Sequence, residues 1–209
     1  MDGDIMDVAS LLSPFFDPTA EQVEKVRVYL ELLLKWNARM NLTGLRDPEQ
    51  IVTRHFGESF FLARQLKASV DDVVDLGSGA GFPGVPLKIA RPWITLSLIE
   101  AQQRKATFLR EVARAINLDL HVINRRAEDV AESQPASASV VTMRAVERFE
   151  SILPVATQLV RPEGIIALLI GSAQVPLARN LVGNWHFLPE ILIPGSQDRV
   201  ILMGNPDSK

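Results

Sequence analysis

The spacing of apolar residues along the chain separates a helical beginning from a longer part in which strands and helices alternate. Over residues 19–40, apolar side chains recur at the spacing of a helix face, and Thr19 begins a capping-box pattern. A polar break follows at Asn41–Asp47, and Asp47-Pro48 then predicts the start of a second helix. We therefore predict a helical N-terminal extension over residues 1–66.

From about residue 70, short runs rich in β-branched residues alternate with helical ones. The first five predicted strands are Asp72–Leu76, Thr95–Glu100, Asp119–Asn124, Ala138–Met143 and Gly164–Ile170. The segments between them are predicted as helices at Val85–Arg91, Arg104–Ile116 and Glu147–Val160, with a short turn near Asp129. Because the strands are apolar throughout, this α/β alternation predicts a parallel sheet covered by helices on both faces.

The end of the chain has a different pattern. Trp185–Ile193 and Asp198–Met203 are predicted as two strands, and Pro194–Gln197 joins them as a hairpin turn. A mostly parallel sheet that ends in an antiparallel hairpin resembles the seven-stranded, Rossmann-like sheet of class I methyltransferases, which use S-adenosylmethionine (SAM). We expect residues 67–209 to form such a domain.

Composition restricts the chemistry that is open to the protein. The chain has 209 residues, which fits one domain with a modest extension, and it contains no cysteine. Disulfides, thiolate metal sites and cysteine nucleophiles are therefore excluded. The acidic start MDGDIMD resembles no targeting peptide, and no apolar run is long enough to span a membrane. We expect a cytoplasmic protein without a metal, and most simply a monomer.

A glycine-rich loop, VVDLGSGAGFPG at residues 73–84, is typical of a cofactor site and can be interpreted in two ways. Gly79, Gly81 and Gly84 match the dinucleotide pattern G-x-G-x-x-G. Asp75, Gly77, Gly79 and Gly81 match the D-x-G-x-G-x-G pattern of a SAM site. In both cases the glycines let the backbone approach the ligand closely. Glu100, at the end of the next strand, would accept hydrogen bonds from ribose hydroxyls in either case.

Three features favour SAM over a dinucleotide. Asp75 precedes the glycines at the strand end, where its carboxylate would repel a pyrophosphate but tolerate the amino group of a cationic ligand. Arg126-Ala127-Glu128 follows the third strand, where a methyltransferase holds adenine. The terminal hairpin suits the methyltransferase sheet and not the all-parallel one.

Several motifs in order along the chain are similar to those of the bacterial 16S rRNA (guanine-N7) methyltransferases, also called the glucose-inhibited division protein B family. The resemblance extends from about Leu32 to about Gly171. The matching residues are Lys35-Trp36-Asn37, Asn41-Leu42-Thr43, Arg54-His55 with Ser59, Gly77–Gly84, Glu100, Arg104-Lys105, Phe108-Leu109, Arg126-Ala127-Glu128 and Arg144-Ala145-Val146. Two positions depart from the family pattern, because Glu58 replaces the usual aspartate and Ile170 replaces a usual lysine.

The resemblance implies the ligands and the residues that contact them. SAM would contact Gly77, the main chain of Phe82, Ala127-Glu128 and Arg144, and would leave as S-adenosylhomocysteine (SAH). The substrate would be a guanine in a conserved hairpin loop of 16S rRNA, free or within the small ribosomal subunit. Asn41 and Arg144 would lie near that guanine as the catalytic pair.

The residues themselves agree with this chemistry. Guanine N7 carries a lone pair and no proton, so methyl transfer to it needs orientation and no general base. Arginine is the usual reader of guanine edges and of phosphates. Arg126, Arg144 and Arg148 follow predicted strand ends, where parallel sheets bind ligands, and are candidate RNA contacts.

Two other functions remain open from the sequence. The net charge of −3 is unusual for a nucleic-acid binder and leaves room for a methyltransferase of another RNA or of a small molecule. A SAM-binding protein without catalysis is the second alternative.

Overall fold

The computed structural model describes residues 6–207, so residues 1–5 of the predicted extension and residues 208 and 209 lie outside it. The helices are α1 Val8–Leu12, α2 Ala20–Asn37, α3 Pro48–Ile51, α4 Glu58–Gln65, α5 Gly84–Ala90, α6 Gln103–Ala115, α7 Ala127–Ser133, α8 Phe149–Leu159 and α9 Val175–Leu181. The strands are β1 Asp72–Leu76, β2 Thr95–Ile99, β3 His121–Ile123, β4 Ala138–Arg144, β5 Val160–Gly171, β6 Trp185–Phe187, β7 Ile191–Leu192 and β8 Arg199–Pro206.

One mixed sheet organises the chain. Its order is β3-β2-β1-β4-β5-β8-β6, with β7 also paired to β8. The first five strands run parallel, and β8 runs antiparallel to β5, β6 and β7. The predicted parallel sheet with a terminal antiparallel hairpin is therefore confirmed.

The predicted strand Trp185–Ile193 is wrong in its extent, because it is broken into β6 and β7. Phe187 pairs with Gly204 and Ile191 with Ile201, so three residues on one strand face two on the other. The extra residue forms a bulge, and Pro189 within it has no N–H to donate to a ladder. The sheet therefore counts eight strands where seven were predicted.

Four more elements differ from the sequence prediction. The helices α1 and α9 were not predicted, and β5 begins at Val160 instead of Gly164. The predicted second helix is interrupted by a π-helical turn at Val52–Gly57. Short π-helical turns are often found at functional sites, and this one faces the cavity described below.

The N-terminal helices and one face of the sheet share a single apolar cluster. Tyr29 of α2 is fully buried, stacks on Phe82 at 5.4 Å between ring centroids and lies against Phe108 of α6. Its hydroxyl donates a hydrogen bond to the carbonyl of Ala80 in the glycine loop. The extension thus supports the loop directly, and the division of the chain after residue 66 stays a prediction.

We predict that Gly81→Ala destabilises the protein by about 2–4 kcal/mol, from left-handed strain and overpacking together. Gly81 has φ +92°, and a methyl group there would lie 2.5 Å from the Tyr29 hydroxyl and 2.9 Å from Val85. The measurement is chemical denaturation of the variant and of Gly183→Ala as control. Because no atom lies within 4 Å of a methyl group at Gly183, the control should remain close to the wild type. Equal stability of the two variants would contradict this packing.

Candidate active site

A cavity of about 930 Å³ opens where the parallel strands end. This volume is in the range of small-molecule sites, and the carboxyl edge of a parallel sheet is where such ligands bind. Its walls come from the glycine loop, the ends of β2 and β4, the start of α7, the loop before α3 and the π-helical turn. The site therefore uses both the sheet and the N-terminal extension.

The glycine loop presents only part of its pattern to the cavity. Gly77, at φ +69°, and Gly79, at φ +56°, both line it, as does Phe82. Gly81 is not among the lining residues and instead packs under Tyr29 and Leu109. Gly77 and Gly79 therefore form the ligand-facing turn, while Gly81 allows the loop to lie close to the core.

The structure does not bring Asp75 into the cavity. Its carboxylate is fully buried beneath the loop, where it accepts hydrogen bonds from the Thr142 hydroxyl at 2.7 Å and the Gly84 N–H at 3.3 Å. Burial raises the pKa of Asp75 to about 6, although these hydrogen bonds act in the opposite direction. Asp75 thus holds the loop against β4 and α5 and does not face the ligand space.

The start of α5 bears on the choice between the two loop patterns. A dinucleotide pyrophosphate would need free N–H groups at this helix terminus. Gly84 donates its N–H to Asp75, Val85 donates to the carbonyl of Gly81, and Pro86 has none to donate. The helix terminus is therefore already satisfied, which disfavours the dinucleotide pattern.

Glu100 is nearly buried at the end of β2 and lines the cavity. One carboxylate oxygen accepts from the Gly79 N–H at 2.8 Å, and the other accepts from the Gln102 N–H at 2.7 Å. The carboxylate is thus fixed beside the glycine turn, and its remaining lone pairs can accept from ligand hydroxyls.

Ala127 and Glu128 begin α7 and line the cavity beside Ile99 and Ile152. Arg126 is the residue before the helix, and Arg148 is bridged to Glu128 at 3.4 Å, with both side chains well exposed. An exposed bridge of this kind contributes little to stability. Both arginines are therefore available at the mouth of the cavity.

Arg144, the last residue of β4, is held by three groups of the N-terminal extension. Its Nη1 donates to Nδ1 of His55 at 2.8 Å, and its Nη2 donates to the Arg54 carbonyl at 2.8 Å and to Glu58 at 3.0 Å. Burial lowers the pKa of Arg144, and the Glu58 carboxylate opposes that shift. The guanidinium is thus fixed in orientation at the edge of the cavity.

His55 also belongs to the site, although the sequence indicated it only as part of the Arg54-His55 motif. Because Arg144 can only donate, Nδ1 of His55 must accept, and the proton of the neutral ring lies on Nε2. Nε2 is 2.6 Å from the Thr43 hydroxyl. Burial lowers the pKa of His55 to about 3, and Arg144 acts in the same direction, so the ring is neutral at physiological pH.

Asn41 lies at the surface next to the cavity and is not among its lining residues. Its side-chain oxygen accepts from Arg46 at 3.1 Å, while its neighbours Leu42 and Thr43 do line the cavity. The shape of this loop comes from Asn37, whose buried amide bonds to four backbone groups of residues 42–45. The proposed catalytic role of Asn41 stays a prediction.

The lining residues fit a nucleoside ligand. Apolar walls at Ile99, Phe82 and Ile152 suit an adenine ring, and Glu100 suits ribose hydroxyls.

Within residues 6–207, no group of three or more His, Asp and Glu side chains is placed to hold a metal ion. In the same range no helix is long and apolar enough to cross a bilayer.

Comparison with known proteins gives consistent matches. Residues 22–181 match the family model described as rRNA small subunit methyltransferase G. The chain is 41% identical over 144 residues to ribosomal RNA small subunit methyltransferase G of Xanthomonas axonopodis pv. citri, a match that covers 68% of this chain and 66% of that protein. It is 39% identical over 192 residues to the protein of the same name from Chloroflexus aggregans, covering 87% and 81%.

Solved structures show the fold. The ribosomal protein L11 methylase from Lactobacillus delbrueckii subsp. bulgaricus superposes with a TM-score of 0.61 at 11% identity, over 75% of this chain and 80% of that one. A SAM-dependent methyltransferase from Aquifex aeolicus gives a TM-score of 0.60 at 14% identity, over 76% and 93%. The predicted class I methyltransferase fold is thereby confirmed.

We predict that Asp75→Asn changes how stability depends on pH. The folded state holds a proton on Asp75 up to about pH 6, whereas the unfolded carboxyl loses it near 3.8. Wild-type stability should therefore fall by about 3 kcal/mol relative to the variant as pH rises from 3.8 to 6. Urea unfolding at several pH values measures the difference, with the exposed Asp119→Asn as control. A difference that is constant across this window would contradict a raised pKa of the buried carboxyl at position 75.

Proposed function

Since the chain belongs to the rRNA small subunit methyltransferase G family, we propose that it transfers a methyl group from SAM to N7 of a guanine in a hairpin loop of 16S rRNA. The observation that carries this proposal is the single cavity in which the glycine turn, Glu100 and Arg144 meet at the carboxyl edge of the sheet. A protein that acts on bacterial ribosomal RNA works in the cytoplasm.

The cofactor half of the cavity is the glycine-loop side. SAM, when bound, supplies a methyl group activated by a positively charged sulfur. Gly77 and Gly79 allow close approach of the backbone to a ligand, Glu100 would accept from its ribose hydroxyls, and Ala127 and Glu128 would border its adenine. These assignments rest on the position of each residue in the lining.

The substrate half is the side formed by Arg144, Thr43 and the π-helical turn. Guanine presents O6 and N7 on one edge, and an arginine donor to O6 would leave the N7 lone pair free. Arg144 retains two N–H groups that no described residue accepts, one on Nε and one on Nη1. Arg144 can therefore orient the guanine through these donors. The transfer needs no general base, because N7 carries no proton.

The charges around the cavity support an RNA substrate although the chain as a whole is acidic. Six basic side chains and three acidic ones line it. The basic residues are Arg54, Lys105, Arg125, Arg126, Arg144 and Arg148, and the acidic residues are Glu100, Glu128 and Glu147. A local basic rim is sufficient to attract phosphates. Ile170, which replaces the usual lysine, is buried in the core and does not contribute to this rim.

We predict that SAH binds the protein and that NAD and NADP do not. Gly79→Val should weaken SAH binding at least about tenfold, or 1.4 kcal/mol. Gly79 lines the cavity, and outside the adjacent residues the nearest atom to a Cβ there is the Gly77 carbonyl oxygen at 3.8 Å, so the side chain would extend into the space that the ligand would occupy. Isothermal titration calorimetry measures both effects, with Gly195→Val as the matched control, because Gly195 also has a positive φ, +70°, and nothing lies within 4 Å of a Cβ there. Tight NAD binding without SAH binding would refute the cofactor assignment.

We predict that small ribosomal subunits from cells lacking the gene gain 7-methylguanosine when incubated with the protein and SAM. Arg144→Met should lower this rate by about 100-fold, since misplacement of a reactant has effects of that order. Nucleoside mass spectrometry of the rRNA gives the modified base, and Arg114→Met, on the exposed end of α6, is the control. Methylation of another nucleoside would support a different RNA specificity. Binding of SAH without any methyl transfer would identify a non-catalytic protein.

A further inference from the structure

Glu58 is a buried carboxylate shared by two arginines. Its side chain is 1% exposed, and each oxygen has a different partner. Oε2 accepts from Nη2 of Arg144 at 3.0 Å, and Oε1 accepts from Nε of Arg199 at 2.5 Å. An isolated buried carboxylate is costly, so the pairing explains why Glu58 is tolerated there.

Arg199 reaches Glu58 from the far end of the chain. It is the first residue of β8 and pairs with Gly171 at the end of β5. It lies beyond residues 22–181, the segment that matches the family model. Neither Arg199 nor Glu58 lines the cavity, and the contact that connects Arg199 to the site is the one through Glu58 to Arg144.

The division of the carboxylate determines how Arg144 is held. An arginine and a carboxylate left to themselves commonly form a two-point pair with parallel N–H···O bonds. Here Arg199 donates to Oε1 and competes with Arg144 for that oxygen, and Arg144 donates only to Oε2. Arg144 consequently gives a single nitrogen to Glu58 and directs Nη1 to His55.

We propose that Arg199 is a positioning residue: by donating to Oε1 of Glu58 it competes against a two-point pair between Glu58 and Arg144, and so keeps the Arg144 guanidinium directed toward His55 and the cavity. Its effect on catalysis rests on the proposed methyl transfer. The placement of Arg144 does not depend on that activity.

The central test is Arg199→Met, which removes the guanidinium with its charge and its N–H donors but keeps an unbranched side chain. We expect kcat for methyl transfer to fall by about 10- to 100-fold, while SAH affinity changes by less than about twofold. Arg199→Lys, which can still occupy Oε1, should retain most of the rate. Arg161→Met is the matched control. Arg161 is also a strand residue that pairs with a carboxylate, that of Asp72 at 2.7 Å, but it lies at the opposite edge of the sheet.

A double variant separates positioning from loss of stability. In Glu58→Gln with Arg199→Met, the amide offers Arg144 one acceptor oxygen instead of two, so a two-point pair cannot form even though Arg199 is absent. We expect this variant to fold and to recover much of the rate lost in Arg199→Met. If Arg199→Met does not fold, the rates of the double variant and of Arg199→Lys still test the positioning role of Arg199. A double variant as slow as Arg144→Met would overturn the proposal.

A readout without substrate distinguishes this proposal from the proposed function. The ¹⁵N resonance of the unprotonated Nδ1 of His55 reports whether that atom accepts a hydrogen bond. We expect it to shift in Arg199→Met and to return toward the wild-type position in the double variant. An unchanged resonance in Arg199→Met would overturn the proposal even if the rate falls. An inactive wild type with the expected shift would refute the methyl transfer and support the placement of Arg144.

Discussion

The hydrogen bond between the buried Asp75 carboxylate and the Gly84 N–H is the interaction on which the arrangement of the site depends. It connects the end of β1 to the start of α5 across the glycine loop, while Thr142 connects the same carboxylate to β4. The loop is therefore held down at both ends, and its middle, at Gly77 and Gly79, faces the cavity. The same bond uses an N–H at the helix terminus that a pyrophosphate would otherwise need.

The N-terminal extension completes the site as well as covering the sheet. Tyr29 supports the loop from below through the carbonyl of Ala80, and Asn37 shapes the segment that contains Thr43. The π-helical turn then brings His55 and the Arg54 carbonyl to Arg144. Because these contacts arise from one shared apolar cluster, loss of packing in the extension would be felt directly in the geometry of the cavity.

Charge is distributed unevenly over this molecule. The whole chain carries a net charge of −3, yet basic side chains outnumber acidic ones around the cavity. Within the site, the neutral His55 and the shared Glu58 allow two arginines to lie close together without a large excess of positive charge. Association with RNA depends on this local field and not on the net charge, since exposed charges more than about 10 Å apart are largely screened.

The sequence by itself determined the alternation of the first five strands with helices, the glycine loop and the meeting of Glu100, Glu128 and Arg144. These follow from local patterns, because parallel strands that are connected through helices end at the same edge of a sheet. Only the tertiary structure decided which way the side chains turn. Asp75 lies beneath the loop, Gly81 faces Tyr29 and Glu58 is paired with a residue 141 positions away. Such side-chain orientations depend on contacts between segments that are distant in the chain. Periodicity and spacing are local patterns and do not predict these contacts.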